Sequence, residues 1–139
     1  MRNDSDPEPP RRRLSFPART EAPVGPALDF TRRALAAWHL WEPPPDRPHL
    51  ADDTLLVVGE LLSNACDHGG GPRYLELERR PGAVRVTVGD RNRVLPRRRP
   101  TGPGAPHGFG TVVLDRLTTR WGAVAGHAGK SVWAELATG

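Results

Sequence analysis

The segment from Leu55 to Gly71, LLVVGELLSNACDHGGG, constrains the fold most, because it combines helical apolar spacing with a polar stripe. Glu60, Asn64 and His68 recur every four residues, so they share an arc of about 80° on a helix that turns about 100° per residue. The opposite, apolar side predicts a core-facing arc made of Leu55, Val58, Leu61, Leu62, Ala65 and Cys66. Leu56 and Val57, one turn before the stripe, lie on the same side of the helix and would also need to be covered. We therefore expect the stripe to form the floor of a cleft, and three glycines followed by a proline to end the helix.

Length, charge and cysteine content limit the class of protein. A chain of 139 residues can bury one core. The formal net charge is +4, but residues 91–107 hold five arginines and no acid, so the positive excess lies in one loop. Cys66 is the only cysteine, which excludes an intramolecular disulfide and a cysteine-rich metal site and predicts a small buried side chain. No signal-peptide pattern or membrane-length apolar run occurs, and we expect a soluble cytoplasmic protein without a membrane partner.

The remaining patterns predict one domain behind a short tail. Residues 1–13 are charged and proline-rich, which is typical of disorder, and the folded domain would span residues 14–139. We predict an edge strand at 14–19, a helix that Pro26 opens, the polar-striped helix from Ala51 or Asp52, a hairpin at 74–79 and 83–89, a short helix at 111–117, and strands at 120–124 and 131–136. The natural packing is an α/β sandwich, with a mixed, mainly antiparallel sheet and helices on one face.

The arginine-rich loop, residues 91–107, leaves three interpretations open. It could close as a lid over bound phosphates, meet an acidic partner, or remain a solvated disordered segment. Binding of nucleic acid is the weaker option, because no aromatic residue interleaves these arginines and bases would lack a stacking platform.

A set of motifs in order along the chain resembles a known family. The motifs are Glu60-x-x-x-Asn64-x-x-x-His68, Asp90 at a strand end, Gly108-Phe109-Gly110 before a helix, and Gly129-Lys130-Ser131-Val132-Trp133 at the last strand. This set is similar to the Bergerat-fold (GHKL) ATPases and, more closely, to the small anti-sigma factor serine kinases of actinobacterial type. The resemblance covers nearly the whole chain after the tail. It implies a histidine kinase-like ATPase domain with an ATP lid, and ATP and Mg²⁺ as cofactors.

The resemblance also implies roles for single residues. Asn64 would bind Mg²⁺ through a neutral amide oxygen, and Glu60 would act as general base or position the attacking group. Asp90 would accept a hydrogen bond from the adenine amine, and the Ser131 hydroxyl would join that aspartate and a water. Backbone N–H groups of Gly108, Phe109 and Gly110 would bind the phosphates at a helix N-terminus.

Several of these residues could also have a purely structural role. His68 could face the phosphates or cap the helix, Asp90 could end its strand in a turn, and Ser131 could pack within the sheet. The sequence also departs from the family after Asp90, where Asp90-Arg91-Asn92-Arg93 stands in place of the usual glycine-containing D-x-G-x-G.

The implied partners are proteins. The resemblance predicts a regulator that binds a sigma factor, phosphorylates an antagonist protein on serine, or does both, and that forms a homodimer. The alternative is a non-catalytic protein-interaction module on the same fold with a degraded nucleotide pocket.

Overall fold

The computed structural model describes residues 10–18, 20–42, 44–95 and 111–139. Its elements in chain order are β1 (Arg11–Ser15), α1 (Val24–Ala37), α2 (Leu50–His68), β2 (Pro72–Arg80), β3 (Ala83–Asp90), α3 (Thr111–Leu117), β4 (Arg120–Ala125) and β5 (Lys130–Ala137). The predicted order of strands and helices is confirmed. Most of the arginine-rich loop, including the predicted lid and Gly108 to Gly110, lies outside the described residues.

The five strands form one sheet in the order β1-β2-β3-β5-β4, and each neighbouring pair is antiparallel. A two-residue turn, Pro81-Gly82, joins β2 to β3, and the φ of 74° at Gly82 is the conformation that such tight turns favour in glycine. β1 lies at one edge of the sheet, as predicted, but it ends at Ser15, so Pro17, which was expected inside the strand, lies after it. The predicted class, a mainly antiparallel sheet combined with helices, is confirmed.

One face of the sheet carries the core. Its side chains are almost completely buried and alternate along the strands: Leu75, Leu77, Val84, Val86, Val88, Val132, Ala134 and Leu136. Helix α2 packs on β2, β3 and β5, α1 packs on α2, β1 and β2, and α3 packs on α2 and β4. We call the other side of the sheet the open face. It carries the intervening residues, which include Arg11, Arg13, Tyr74, Glu76, Glu78, Arg80, Arg85, Ser131, Trp133, Glu135 and Arg120.

Helix α2 is rotated relative to the predicted orientation. Its buried arc includes Val57 and Asn64, whereas Cys66 is exposed and Leu55 is only partly buried. The centre of this arc is displaced toward the polar stripe by roughly half of the 100° step between residues. The predicted burial of Cys66 is therefore wrong, because the sheet contacts a different sector of the helix. Leu56, expected to lie under cover in a cleft, is 58% exposed.

Strand β1 begins at Arg11, inside the segment predicted as a disordered tail. Arg11 and Arg13 lie opposite Glu78 and Glu76 of β2 and form ion pairs with them, so these charged residues belong to the sheet edge. Composition alone predicted disorder because it could not show these cross-strand partners.

One further prediction of burial is wrong, and one open choice is resolved. The apolar pattern of residues 111–117 predicts that Val112 faces inward, but Leu114 is fully buried and Val112 is 41% exposed. At the end of α1, Trp38 is buried and Trp41 is 41% exposed, which resolves the choice between core and surface for each. None of the helices that the structure describes has the length and apolarity needed to cross a bilayer.

Candidate functional site

Helix α2 places its three polar stripe residues in different environments. Glu60 is half-buried, Asn64 is only 7% exposed, and His68 is exposed at the last helical residue. Glu60 and Asn64 are one helical turn apart and interact through their side chains. We call these two residues the Glu60–Asn64 pair. The stripe is thus a boundary where the buried face of the helix meets the surface.

The carboxyl group of Glu60 has a raised pKa. Burial is the main cause, because it disfavours the charged form; the nearby Asn64 amide opposes the rise, and the negative charge of Asp67 adds to it. A carboxyl whose pKa is raised above its ordinary value holds a proton more readily than an ordinary glutamate. This property suits a group that takes up a proton during a reaction.

Asn64 has an unsatisfied donor. Its Nδ2 atom is buried and forms no hydrogen bond of good geometry with any described residue, so its interaction with Glu60 is an approach without a formed hydrogen bond. An unpaired buried donor is uncommon and destabilises a fold by about 1–3 kcal/mol. An amide can turn by 180° and present oxygen instead of nitrogen to the same neighbour. The side chain could therefore serve an anionic ligand or a cation.

A cation at Asn64 would need most of its ligands from elsewhere. Within the part of the chain that the structure describes, no three His, Cys, Asp or Glu side chains gather as a metal-binding group. Mg²⁺ commonly keeps few protein ligands and fills its shell with phosphate oxygens and water. One amide beside one carboxyl therefore fits a metal that arrives with a nucleotide, and does not fit a permanent protein-held metal.

Asp90, at the end of β3, is already occupied by protein partners. It is 3% exposed; its Oδ1 accepts a hydrogen bond from the backbone N–H of Asn92 at 2.9 Å, and its Oδ2 lies 2.8 Å from Lys130 Nζ. Both members of the ion pair have side chains that are only 4% exposed. We call Asp90, Asn92 and Lys130 the Asp90 cluster. Both carboxylate oxygens that were expected to select adenine are engaged within it.

Asn92 fastens the chain after Asp90 to the end of α2. Its Nδ2 donates to the carbonyl oxygen of His68 at 2.7 Å, and its Oδ1 accepts from the backbone N–H of Val94 at 3.0 Å. The backbone N–H of Arg91 donates to the carbonyl oxygen of Gly69 at 2.8 Å. A side-chain turn thus follows Asp90, where the family that the sequence resembles has glycines. His68 takes part through its backbone carbonyl, which does not depend on its side chain.

Two glycines allow the backbone to approach Asp90. A Cβ atom on Gly69 would lie 2.5 Å from Asp90 Oδ2, and one on Gly129 would lie 1.8 Å from the Asp90 carbonyl oxygen. Gly129 also has a φ of 147°, which favours glycine. The end of α2, the end of β3 and the start of β5 therefore meet at one tightly packed point.

Ser131 does not join Asp90. Its register partner is Gly89, so it lies on the open face, where its hydroxyl is 2.7 Å from the hydroxyl of Tyr74. Lys130, one residue earlier, is on the helix side and reaches Asp90 instead. Successive residues of a strand face opposite sides, so a shift of one position changes the face. The sequence contained a signal for this: the single lysine continues the inward alternation of Val132, Ala134 and Leu136.

The structure thus brings Glu60 and Asn64 together and sets Asp90 against the helix end through His68 and Gly69. It separates Ser131 from them, and Gly108, Phe109 and Gly110 lie outside the described residues. Lys130 and Asn92 are the site residues that sequence reasoning missed. A scan of protein-family models and a search of curated proteins both found no match to this chain.

Proposed function

We propose that this protein is a nucleotide-binding regulator of the anti-sigma factor serine kinase type. The observation that carries the proposal is the Glu60–Asn64 pair, in which a carboxyl with raised pKa lies beside a buried amide whose Nδ2 forms no hydrogen bond of good geometry. A bound Mg²⁺–ATP would supply the phosphate oxygens and the metal that such an amide lacks. The order of motifs along the chain supports the same proposal.

Each residue of the pair would have a distinct task. Asn64 would bind the metal through its amide oxygen, and Glu60 would accept the proton of a serine hydroxyl on a protein substrate. Asp90 would contact adenine only through lone pairs that Asn92 and Lys130 leave free, since both of its oxygens already accept. Ser131 has no part in the proposed site. The protein would act in the cytoplasm on a sigma factor or its antagonist, as a homodimer.

Calorimetric titration with ATP, with and without Mg²⁺, tests the nucleotide proposal. We expect Mg²⁺-dependent binding that weakens at least tenfold in Asn64→Ala, because the amide is the metal ligand. Ser63→Ala is the matched control, since Ser63 is the exposed neighbour on the same helix. Equal binding by both variants would remove Asn64 from the site.

A phosphoryl-transfer assay tests the role of Glu60. With a serine-containing antagonist and radiolabelled ATP, Glu60→Gln should lose transfer and retain Mg²⁺–ATP binding, because glutamine cannot accept the proton. Undiminished transfer would show that Glu60 is not the base.

The Asp90 cluster favours a second candidate, a protein-interaction module that uses no nucleotide. Lys130 and Asn92 satisfy the carboxylate that would otherwise recognise adenine. This candidate predicts no heat and no thermal stabilisation with Mg²⁺–ATP in a well-folded protein, and full partner binding by Asn64→Ala. Mg²⁺-dependent binding by the wild-type protein would exclude it.

A further inference from the structure

A row of alternating charges crosses the whole open face. In register, Arg11 of β1 lies opposite Glu78 of β2, Glu78 opposite Arg85 of β3, Arg85 opposite Glu135 of β5, and Glu135 opposite Arg120 of β4. Arginine therefore occupies the first, third and fifth strands of the sheet, and glutamate occupies the two strands between them. This row is independent of the Glu60–Asn64 pair, which is on the helix side.

The arginines cover the glutamates. The side chains of Glu78 and Glu135 are 17% and 7% exposed, whereas those of Arg11 and Arg120 are 61% and 62% exposed. Arg85 Nε donates to Glu135 at 3.1 Å, and Arg120 Nε donates to the same carboxylate. The carboxylates thus lie at the base of the face, and the guanidinium groups form its outer layer.

Burial alone would raise the pKa of Glu135, but hydrogen bonds and positive charges from Arg120 and Arg85 outweigh it and lower that pKa. The row therefore keeps its charge pattern at neutral pH.

Aromatic rings hold several of these guanidinium groups in place. Arg85 lies 4.2 Å and Arg120 5.4 Å from the centroid of the Trp133 ring, and Arg13 lies 4.1 Å from that of Tyr74. Stacking restricts the long side chains before any partner arrives, so less conformational entropy is lost on binding. Arginine and aromatic residues are also the types enriched at the energetic centres of protein interfaces.

The charge of the face selects the class of partner. Five arginines (Arg11, Arg13, Arg80, Arg85 and Arg120) and three glutamates (Glu76, Glu78 and Glu135) leave the open face with a net charge of +2. Two copies placed face to face would repel each other. Guanidinium groups already cover Tyr74 and Trp133, so these rings offer no free platform to nucleobases.

We infer that the open face is a docking surface for an acidic protein. Its contacts would be carboxylates of the partner on the exposed guanidinium groups of Arg11 and Arg120 and on the partly buried guanidinium group of Arg85 between them. Adjacent strands are about 4.8 Å apart, so arginines on every second strand recur about every 10 Å. The partner surface therefore presents carboxylates at a similar spacing.

Two matched helical peptides test the inference on the full chain. In the first, three glutamates stand seven residues apart, which places them on one face about 10.5 Å from each other. The second has the same composition with its three glutamates adjacent. Binding is followed by NMR through the arginine Nε–Hε signals. We expect the spaced peptide to shift the signals of Arg11, Arg85 and Arg120 and to bind at least fivefold more tightly than the adjacent one.

Charge-matched variants locate the binding. Arg11→Gln/Arg120→Gln should weaken the spaced peptide at least fivefold, and Arg32→Gln/Arg33→Gln on exposed positions of α1 should not. The melting temperature of each variant shows that it is folded. Equal weakening by both double variants, or shifts confined to Arg91 and Arg93, would overturn the inference.

The same experiment tests two other possible partners of the open face. Tighter binding of a single-stranded oligonucleotide of equal charge at the same arginines would assign the face to nucleic acid. Self-association that Arg11→Gln/Arg120→Gln abolishes would assign it to a second copy. Either result overturns the acidic-protein partner.

Discussion

The Glu60–Asn64 pair lies on α2 and the Asp90 cluster lies against the C-terminal end of the same helix, yet the protein satisfies only the Asp90 cluster. In the Asp90 cluster each carboxylate oxygen has a donor, and the ion pair is almost completely buried. In the Glu60–Asn64 pair a buried amide nitrogen forms no hydrogen bond of good geometry with any described residue, and burial raises the pKa of the carboxyl. Satisfied groups stabilise a fold, and unsatisfied groups are available to a ligand. The comparison therefore makes the Asp90 cluster a structural element and the Glu60–Asn64 pair the place where we propose that a ligand binds.

Of the substitutions that test this comparison, Lys130→Met should change the stability of the protein most. It leaves Asp90 buried without its counter-ion, and we expect a loss of about 3–5 kcal/mol in the free energy of unfolding, measured with urea. The double variant Asp90→Asn/Lys130→Met should recover much of the loss, because no unpaired charge remains. A stable single variant would show that the ion pair does not hold the three elements together.

Gly129→Ala tests the close packing around Asp90. The added Cβ would collide with the Asp90 carbonyl oxygen, and the backbone has a positive φ, so we expect more than about 2 kcal/mol of destabilisation. Gly126→Ala is the control in the same turn: its Cβ would meet nothing closer than 3.8 Å. Similar melting temperatures for the two variants would contradict the packing that the structure shows.

The two asparagines should respond to substitution in opposite ways. Asn92→Ala removes hydrogen bonds to His68 and Val94 and should destabilise the protein by about 1–2 kcal/mol. Asn64→Leu removes an amide whose donor is unsatisfied, so urea unfolding should show a stability equal to or above that of the wild type. A marked loss in Asn64→Leu would mean that the amide has a partner within the fold.

Glu60→Gln should change the stability of the protein least, and the size of the change should depend on pH. The pKa of Glu60 is higher in the folded protein than the ordinary value of 4.5, so the folded state binds the proton more tightly. The contribution of Glu60 to the free energy of unfolding is therefore fully present below pH 4.5, and it is lost as the pH rises through the pKa of the folded protein. Glutamine stays neutral, so the variant should be slightly more stable than the wild type at pH 7 and equal to it at pH 4. Thermal melts at pH 4 and pH 7 measure the difference. A variant that is less stable than the wild type at pH 7 would contradict the raised pKa of Glu60.

The sequence predicted the elements well because local periodicity reports them directly. Alternation defined the strands, a four-residue spacing defined α2, and the glycine of the Pro81-Gly82 turn indicated the hairpin. It predicted less about the site. Asp90 at a strand end was correct, but its partner was assigned to Ser131 instead of Lys130, and one residue separates the two faces of a strand.

Residue order alone determined that this chain forms an antiparallel sheet with helices, and that Glu60 and Asn64 share one side of α2. Only the tertiary structure decided how α2 is rotated on the sheet, which buries Asn64 and exposes Cys66. It also decided which polar groups find partners, because Lys130 and the His68 carbonyl meet Asp90 and Asn92 from distant parts of the chain. The physical reason is that periodicity is a property of neighbours in sequence, whereas the satisfaction of a buried donor or charge depends on every element packed around it.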